Sequence, residues 1–132
     1  MADFKIILSD PATGRSYKID ATGPTAGAFI GKRIGSEIDG NVLGLTGYTI
    51  RITGATDKTG IPARRDLPGS ARRRLLLSRS VGFHPVMDGE RRRKSVRGNE
   101  ISADIVQINA AVKQHGAKPL AEHFGQAEAA AE

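Results

Sequence analysis

A chain of 132 residues fits one domain with at most a short appendage. With 39% hydrophobic residues, six aromatics and no Trp, any core must be built from Ile, Leu and Val, and the absence of Cys excludes disulfides and thiolate metal sites. The net charge of +6 points to polyanionic partners, and no apolar run approaches the roughly 18 residues that span a bilayer. The N-terminus has no signal-peptide core, so a soluble, cytoplasmic protein is expected.

Phe4-Lys5-Ile6-Ile7-Leu8 reads as a buried strand. Asp10-Pro11-Ala12-Thr13-Gly14 is turn chemistry: Pro pre-sets one backbone angle, Asp bonds locally and Gly accepts a positive φ. Ser16-Tyr17-Lys18-Ile19-Asp20 alternates apolar and polar, as a returning strand does. Seven glycines between positions 23 and 47 leave no helical stripe of useful length, which predicts short strands and loops, with Asp39-Gly40-Asn41 as a turn. Tyr48, Ile50 and Ile52 alternate with Thr49, Arg51 and Thr53, the pattern of a half-buried strand with Arg51 outside. Asp57-Lys58-Thr59-Gly60 reads as loop, and Leu75-Leu76-Leu77 with Val81-Gly82-Phe83 as strand. Ser102 as N-cap, Asp104 in a first turn, Gly116 as terminator and an apolar stripe of Ile105, Ile108 and Val112 predict a helix over 101–116. The Ala/Glu-rich segment at the end is expected to fray. Short strands, many turns and one terminal helix give a mainly β fold. We expect a small β-barrel over 1–100 with extended basic loops at 64–97, one C-terminal α-helix at 101–116, and an acidic tail at 117–132.

The positive charge is gathered in one stretch. Arg64, Arg65, Arg72, Arg73, Arg74, Arg79, Arg91, Arg92, Arg93, Lys94 and Arg97 face only Asp66, Asp88 and Glu90, a local net charge of +8. Ten of these eleven cations are Arg, whose planar fork matches phosphate oxygens and stacks on bases better than a Lys point charge does. An inert soluble surface would intersperse both signs, so polyanion binding is the preferred reading. Side chains alternate along a strand, so the runs Arg72-Arg73-Arg74 and Arg91-Arg92-Arg93-Lys94 cannot each point one way on one. That predicts extended loops which, if the polyanion is a folded RNA, insert between its segments and order fully only there. Ser70, Ser78, Ser80 and Ser95 could add phosphate donors, but ordinary turn or strand-end roles suffice for them. Gly98-Asn99 is either a fixed turn that aims the basic loop or a simple junction.

Catalytic and metal chemistry find no support. Gly27-Ala28-Phe29-Ile30-Gly31-Lys32-Arg33 is one residue short of a Walker loop and carries Arg33 where magnesium needs Ser or Thr. His84, His115 and His123 lack ligand spacing, and Glu37 with Asp39 reads as a pair of turn formers. No serine sits in a nucleophile elbow. No enzyme activity, cofactor, metal or small-molecule substrate is expected.

Longer motifs carry a resemblance. Gly44-Leu45-Thr46-Gly47-Tyr48-Thr49-Ile50-Arg51-Ile52-Thr53-Gly54 with Asp57-Lys58-Thr59-Gly60-Ile61-Pro62, and Arg74-Leu75-Leu76-Leu77-Ser78 with Val81-Gly82-Phe83, are two of them. The block Gly89-Glu90-Arg91-Arg92-Arg93-Lys94-Ser95-Val96-Arg97-Gly98-Asn99 is the most specific, and Gly31-Lys32-Arg33-Ile34-Gly35 and Asp104-Ile105-Val106-Gln107-Ile108-Asn109 extend the likeness. From about Phe4 to Gly116 the chain resembles small-subunit ribosomal protein six of the eukaryotic and archaeal type. The resemblance implies a β-barrel-like domain bound to the RNA of the small ribosomal subunit beside other ribosomal proteins, as a structural constituent in translation. Eukaryotic members continue into a basic helix with phosphorylated serines. The acidic end of this chain matches the short archaeal form instead, and places that phosphorylation out of reach.

The alternative from a different class is a free basic regulator of nucleic acid acting off the ribosome. An RNA-modifying enzyme lacks candidate residues. With few aromatics, a stacking platform for single strands is disfavoured, and Arg contacts to rigid folded RNA are the expected mode.

Overall fold

The computed structural model describes residues 3–116. Strands β1 (Phe4–Asp10) and β2 (Arg15–Ala21) form the expected hairpin, in register from Phe4 opposite Ala21 to Asp10 opposite Arg15. Gly14 turns the corner at φ 75°, and the Asp10 carboxylate accepts from the Ala12 amide at 3.1 Å and the Thr13 hydroxyl at 3.2 Å. Alternation puts Phe4, Ile6 and Leu8 in the core.

A short helix, α1 (Pro24–Phe29), follows where the glycine density predicts none. Proline at its start costs no hydrogen bond, and its six residues put Ala26 and Phe29 into the core, so packing outweighs weak propensity. Strand β3 (Glu37–Asp39) leads into a 3₁₀ turn (Gly40–Leu43), capped by Asp39 through the Asn41 amide. Strand β4 (Thr49–Asp57) runs four residues beyond the expected Thr53 and keeps Arg51 exposed. Strands β5 (Arg72–Leu77) and β6 (Arg92–Arg97) pair with each other, and β7 (Ile105–Gln114) closes the described chain.

Five strands form a mixed sheet in the order β2-β1-β7-β4-β3, and β5-β6 is a separate two-stranded ribbon. The sheet does not close into the expected barrel. Its edges, β2 and β3, do not pair, and a three-residue β3 that passes straight into a 3₁₀ turn offers no ladder for β2 to join.

The expected helix at 101–116 is also corrected. Residues 105–114 form a strand in the middle of the sheet, parallel to β1 and antiparallel to β4. Ile105, Val106, Ile108 and Val112 are β-branched and favour extended backbone. The helical-looking spacing comes from a bulge. Thr56 opposes Gln107 while Asp57 opposes Ile105, so Val106 is the extra residue. One bulge turns a two-residue repeat into the three-residue step from Ile105 to Ile108. From Ile108 onward the buried positions return to alternation, with Ala110 and Val112. Ser102, read as an N-cap, instead accepts the Ile105 amide through its carbonyl in a turn.

Phe4, Ile6, Leu8, Phe29, Tyr48, Ile50, Ile52, Ile105 and Ile108 are all at most 1% exposed and form the main core. No helix among the described residues is long and apolar enough to cross a membrane. The tail expected to fray, 117–132, lies outside the described residues.

Candidate nucleic-acid interface

The two arginine runs, expected in separate loops, meet in one ribbon. Antiparallel pairing sets Arg72 opposite Arg97, Arg73 opposite Val96, Arg74 opposite Ser95, Leu75 opposite Lys94, Leu76 opposite Arg93 and Leu77 opposite Arg92. Directly opposed residues share a face. One face therefore carries Arg72, Arg74, Leu76, Arg93, Ser95 and Arg97. The other carries Arg73, Leu75, Leu77, Arg92, Lys94 and Val96. Alternation does split each run, as strand geometry demands, but an exposed ribbon can use both faces.

The register separates like charges. Arg72–Arg97 is the only Arg–Arg pair in the ladder, and its other cations lie opposite small or apolar residues. Directly opposed like charges destabilise a sheet. Here a carboxylate intervenes: Asp57 Oδ2 accepts from Arg72 and from Arg97, each at 3.2 Å.

Asp57 stands at the end of β4 and is 3% exposed. Its Oδ1 accepts from the Thr59 amide (2.9 Å), the Thr59 hydroxyl (2.8 Å) and the Ile61 amide (2.9 Å). Burial alone would raise its pKa, but these bonds and the one from Arg97 outweigh burial and hold the carboxyl well below the usual carboxylate range. Asp57, expected in a loop, ends a strand instead, and Asp-x-Thr-Gly is the Asx-turn signal in the sequence that marks its role.

A two-stranded ribbon is marginal by itself in water. Its base is fixed by Val96, Leu77 and Phe83, which form a second small core with Leu67 and Leu75. The backbone adds further ties. Arg97 donates to the Pro62 carbonyl (2.9 Å) and accepts from the Arg64 amide (2.9 Å). Gly98 and Asn99 fix the neighbouring loop, more than a simple junction would: the Asn99 amide donates to Leu67 O (2.7 Å) and its side chain to Arg65 O (2.9 Å). A Cβ on Gly98 would fall 1.9 Å from the Gly69 carbonyl oxygen, so only glycine admits this approach.

The eleven expected cations fall into three groups. Arg65, Arg73, Arg74, Arg79, Arg91, Arg93 and Lys94 are exposed, and their side chains have no hydrogen-bond or ion-pair partner among the described residues. Arg64, Arg72 and Arg92 are partly engaged. Arg64 bonds Asp66 (2.5 Å) and Ser80 (2.8 Å), Arg72 bonds Asp57 and Thr59, and Arg92 bonds Glu90 (3.1 Å). Hydrogen bonding from Arg64 lowers the Asp66 pKa. Arg97 differs from the rest. It is 7% exposed and committed to Asp57, the Ser70 carbonyl (2.9 Å) and Asp104 (3.4 Å), so its place is in the ribbon's foundation rather than on its surface.

The loop at 78–91 has its own internal order. The Ser80 and Phe83 backbones bond each other, and Glu90 accepts from the Val86 (2.8 Å) and Met87 (3.3 Å) amides. Those two amide bonds are the main causes that lower the Glu90 pKa. Among the described residues no group of His, Asp or Glu could hold a metal ion.

The family described as Ribosomal protein S6e matches the chain over residues 4–125. Among curated relatives, the small ribosomal subunit protein eS6 of Methanoculleus marisnigri is 86% identical over all of both chains. The protein of the same name from Methanospirillum hungatei is 62% identical over 97% of this chain and 95% of its own. That from Halobacterium salinarum is 45% identical over 95% of each. A match over nearly the whole length, joined to the full-chain likeness to archaeal proteins, shows that this chain belongs to the ribosomal protein S6e family.

Proposed function

We propose that the chain is a structural constituent of the small ribosomal subunit and binds ribosomal RNA through the β5-β6 ribbon and its flanks. The observation that carries this reading is the set of four exposed cations on the ribbon, Arg73, Arg74, Arg93 and Lys94, with Arg91 just before β6, all without protein partners among the described residues. Cations gathered this closely repel one another unless a polyanion neutralises them. The names of the relatives place those proteins in the small subunit, which supports the same assignment here. Phosphates would lie along both faces of the ribbon, and neighbouring ribosomal proteins would be further partners. The role is architectural rather than catalytic.

The mode differs from a loop that orders only on RNA, because the ribbon is paired and anchored in the isolated chain. A preformed cationic ribbon positions phosphates without ordering itself, and it reads RNA shape rather than sequence. The test is the salt dependence of RNA association for Arg91→Ala/Arg92→Ala/Arg93→Ala. Each lost phosphate contact removes roughly 0.7–0.9 from the log–log slope. A drop of up to about two units with weaker binding is expected, and an unchanged slope would remove the ribbon from the interface.

A further inference from the structure

The loop joining β5 to β6 carries features that phosphate binding does not use. Val86 is 93% exposed and Met87 72% exposed, side by side at its tip, although the loop is held by internal bonds. Glu90 Oε2 accepts from the amides of these two residues, so the turn that projects them is built in, while its Oε1 accepts from Arg92 at 3.1 Å. Beneath the tip lies an open recess of about 310 Å³ lined by Phe83, His84, Val86, Glu90, Arg92 and Lys94. Its chemistry is divided. The exposed His84 and Val86 offer aromatic and apolar surface over the buried Phe83, while Arg92 and Lys94 lie two apart on one face of β6 and offer cations.

We infer that this recess takes one unstacked nucleotide of the bound RNA, with its base against His84 and Val86 and its phosphate at Arg92 and Lys94. This deepens the RNA-binding reading and rests on it. Three considerations favour that occupant over an apolar protein segment. The recess lies at the low end of the roughly 300–1,000 Å³ span of small-ligand sites, which suits one nucleotide and not a duplex. The apolar wall is continuous with a cationic one, as a base and its own phosphate require. RNA-binding proteins reach specificity through splayed-out bases stacked on side chains such as Phe and His, and phosphate contacts alone cannot supply that. The scarcity of aromatics does not count against a single base, because the exposed His84 ring suffices for one.

The test uses the full chain and three RNA hairpins of equal length: fully paired, with one bulged adenosine, and with an abasic bulge at the same place. Shape and charge are nearly shared by the two bulged forms, so their difference isolates the base. The base-bearing bulge should bind at least about fivefold tighter than the abasic one, the low end for stacking of a single base. His84→Ala/Val86→Ser should bring that ratio to within about twofold of one and leave affinity for the paired hairpin unchanged. Both residues are exposed, so the variant should fold. Equal binding of the two bulged forms by the unmodified chain would overturn the inference. So would a preference that the variant retains, and either result would turn the tip over to a protein neighbour. Failure of all three hairpins to bind would instead sink the RNA-binding reading itself.

Discussion

Asp57 makes the arginine ribbon possible. One buried carboxylate accepts three bonds that close its own turn, and it bridges two guanidiniums that would otherwise face each other across the β5-β6 ladder. Removing one partner of a buried pair leaves the other charge uncompensated, at a cost of about 3–5 kcal/mol. Asp57→Asn should therefore lower stability by about that amount in urea unfolding, and loosen the Arg72 and Arg97 amides in hydrogen exchange first. The sign of the pH effect follows from the lowered pKa. A carboxyl depressed in the fold stabilises fully above its unfolded value, about 3.9, and loses that contribution as pH falls through the folded value. The stability gap between the natural chain and Asp57→Asn should hold steady at pH 5–7 and narrow below about pH 4. Asp10 shares the direction: burial opposes it, but hydrogen bonds led by that from His115 (2.9 Å) keep its pKa low. Arg97 could not be told from its neighbours in sequence, because its burial depends on an acid forty positions away.

At the scale of the element, local signals were readable wherever pairing was local. The 4–21 hairpin is written in its own alternation and its Asp10–Gly14 turn, and β4 in the Tyr48–Thr53 pattern. Strand β7 was not, because the bulge at Val106 imitates helical spacing and its partners, β1 and β4, are distant in the chain. The ribbon was half legible. Charge density marked residues 64–97, but the register that merges two runs is a long-range property, and so is the Gly69 carbonyl that demands glycine at 98. Gly98→Ala should force the 65–71 loop off β6, costing about 1–3 kcal/mol as other overpacked sites do, read as a fall in the urea midpoint. Ile108→Ala, in the central strand, should cost about 2–5 kcal/mol. Leu76→Ser, on the open ribbon face, should change stability by no more than about 0.5 kcal/mol, and a larger loss there would mean that this face is covered in the isolated chain.

Taken whole, the molecule divides its labour. A five-stranded sheet with a short helix supplies the core, and a ribbon with little core of its own is fastened to it at Pro62, Arg64, Arg97 and Asn99. Exposed arginine is then held in a fixed array in the isolated chain, which suits the rigid folded RNA proposed as its partner better than a flexible strand. The most direct measurement is sedimentation of lysates through a high-salt sucrose gradient, comparing the natural chain with a variant carrying Ala at positions 73, 74, 91 and 93. All four side chains are exposed, so folding should survive, and circular dichroism would check it. The natural chain is expected to travel with the small subunit and the folded variant to remain at the top. Equal co-migration of both would contradict RNA binding through the ribbon, and a natural chain found only at the top, with subunits intact, would contradict the ribosomal role.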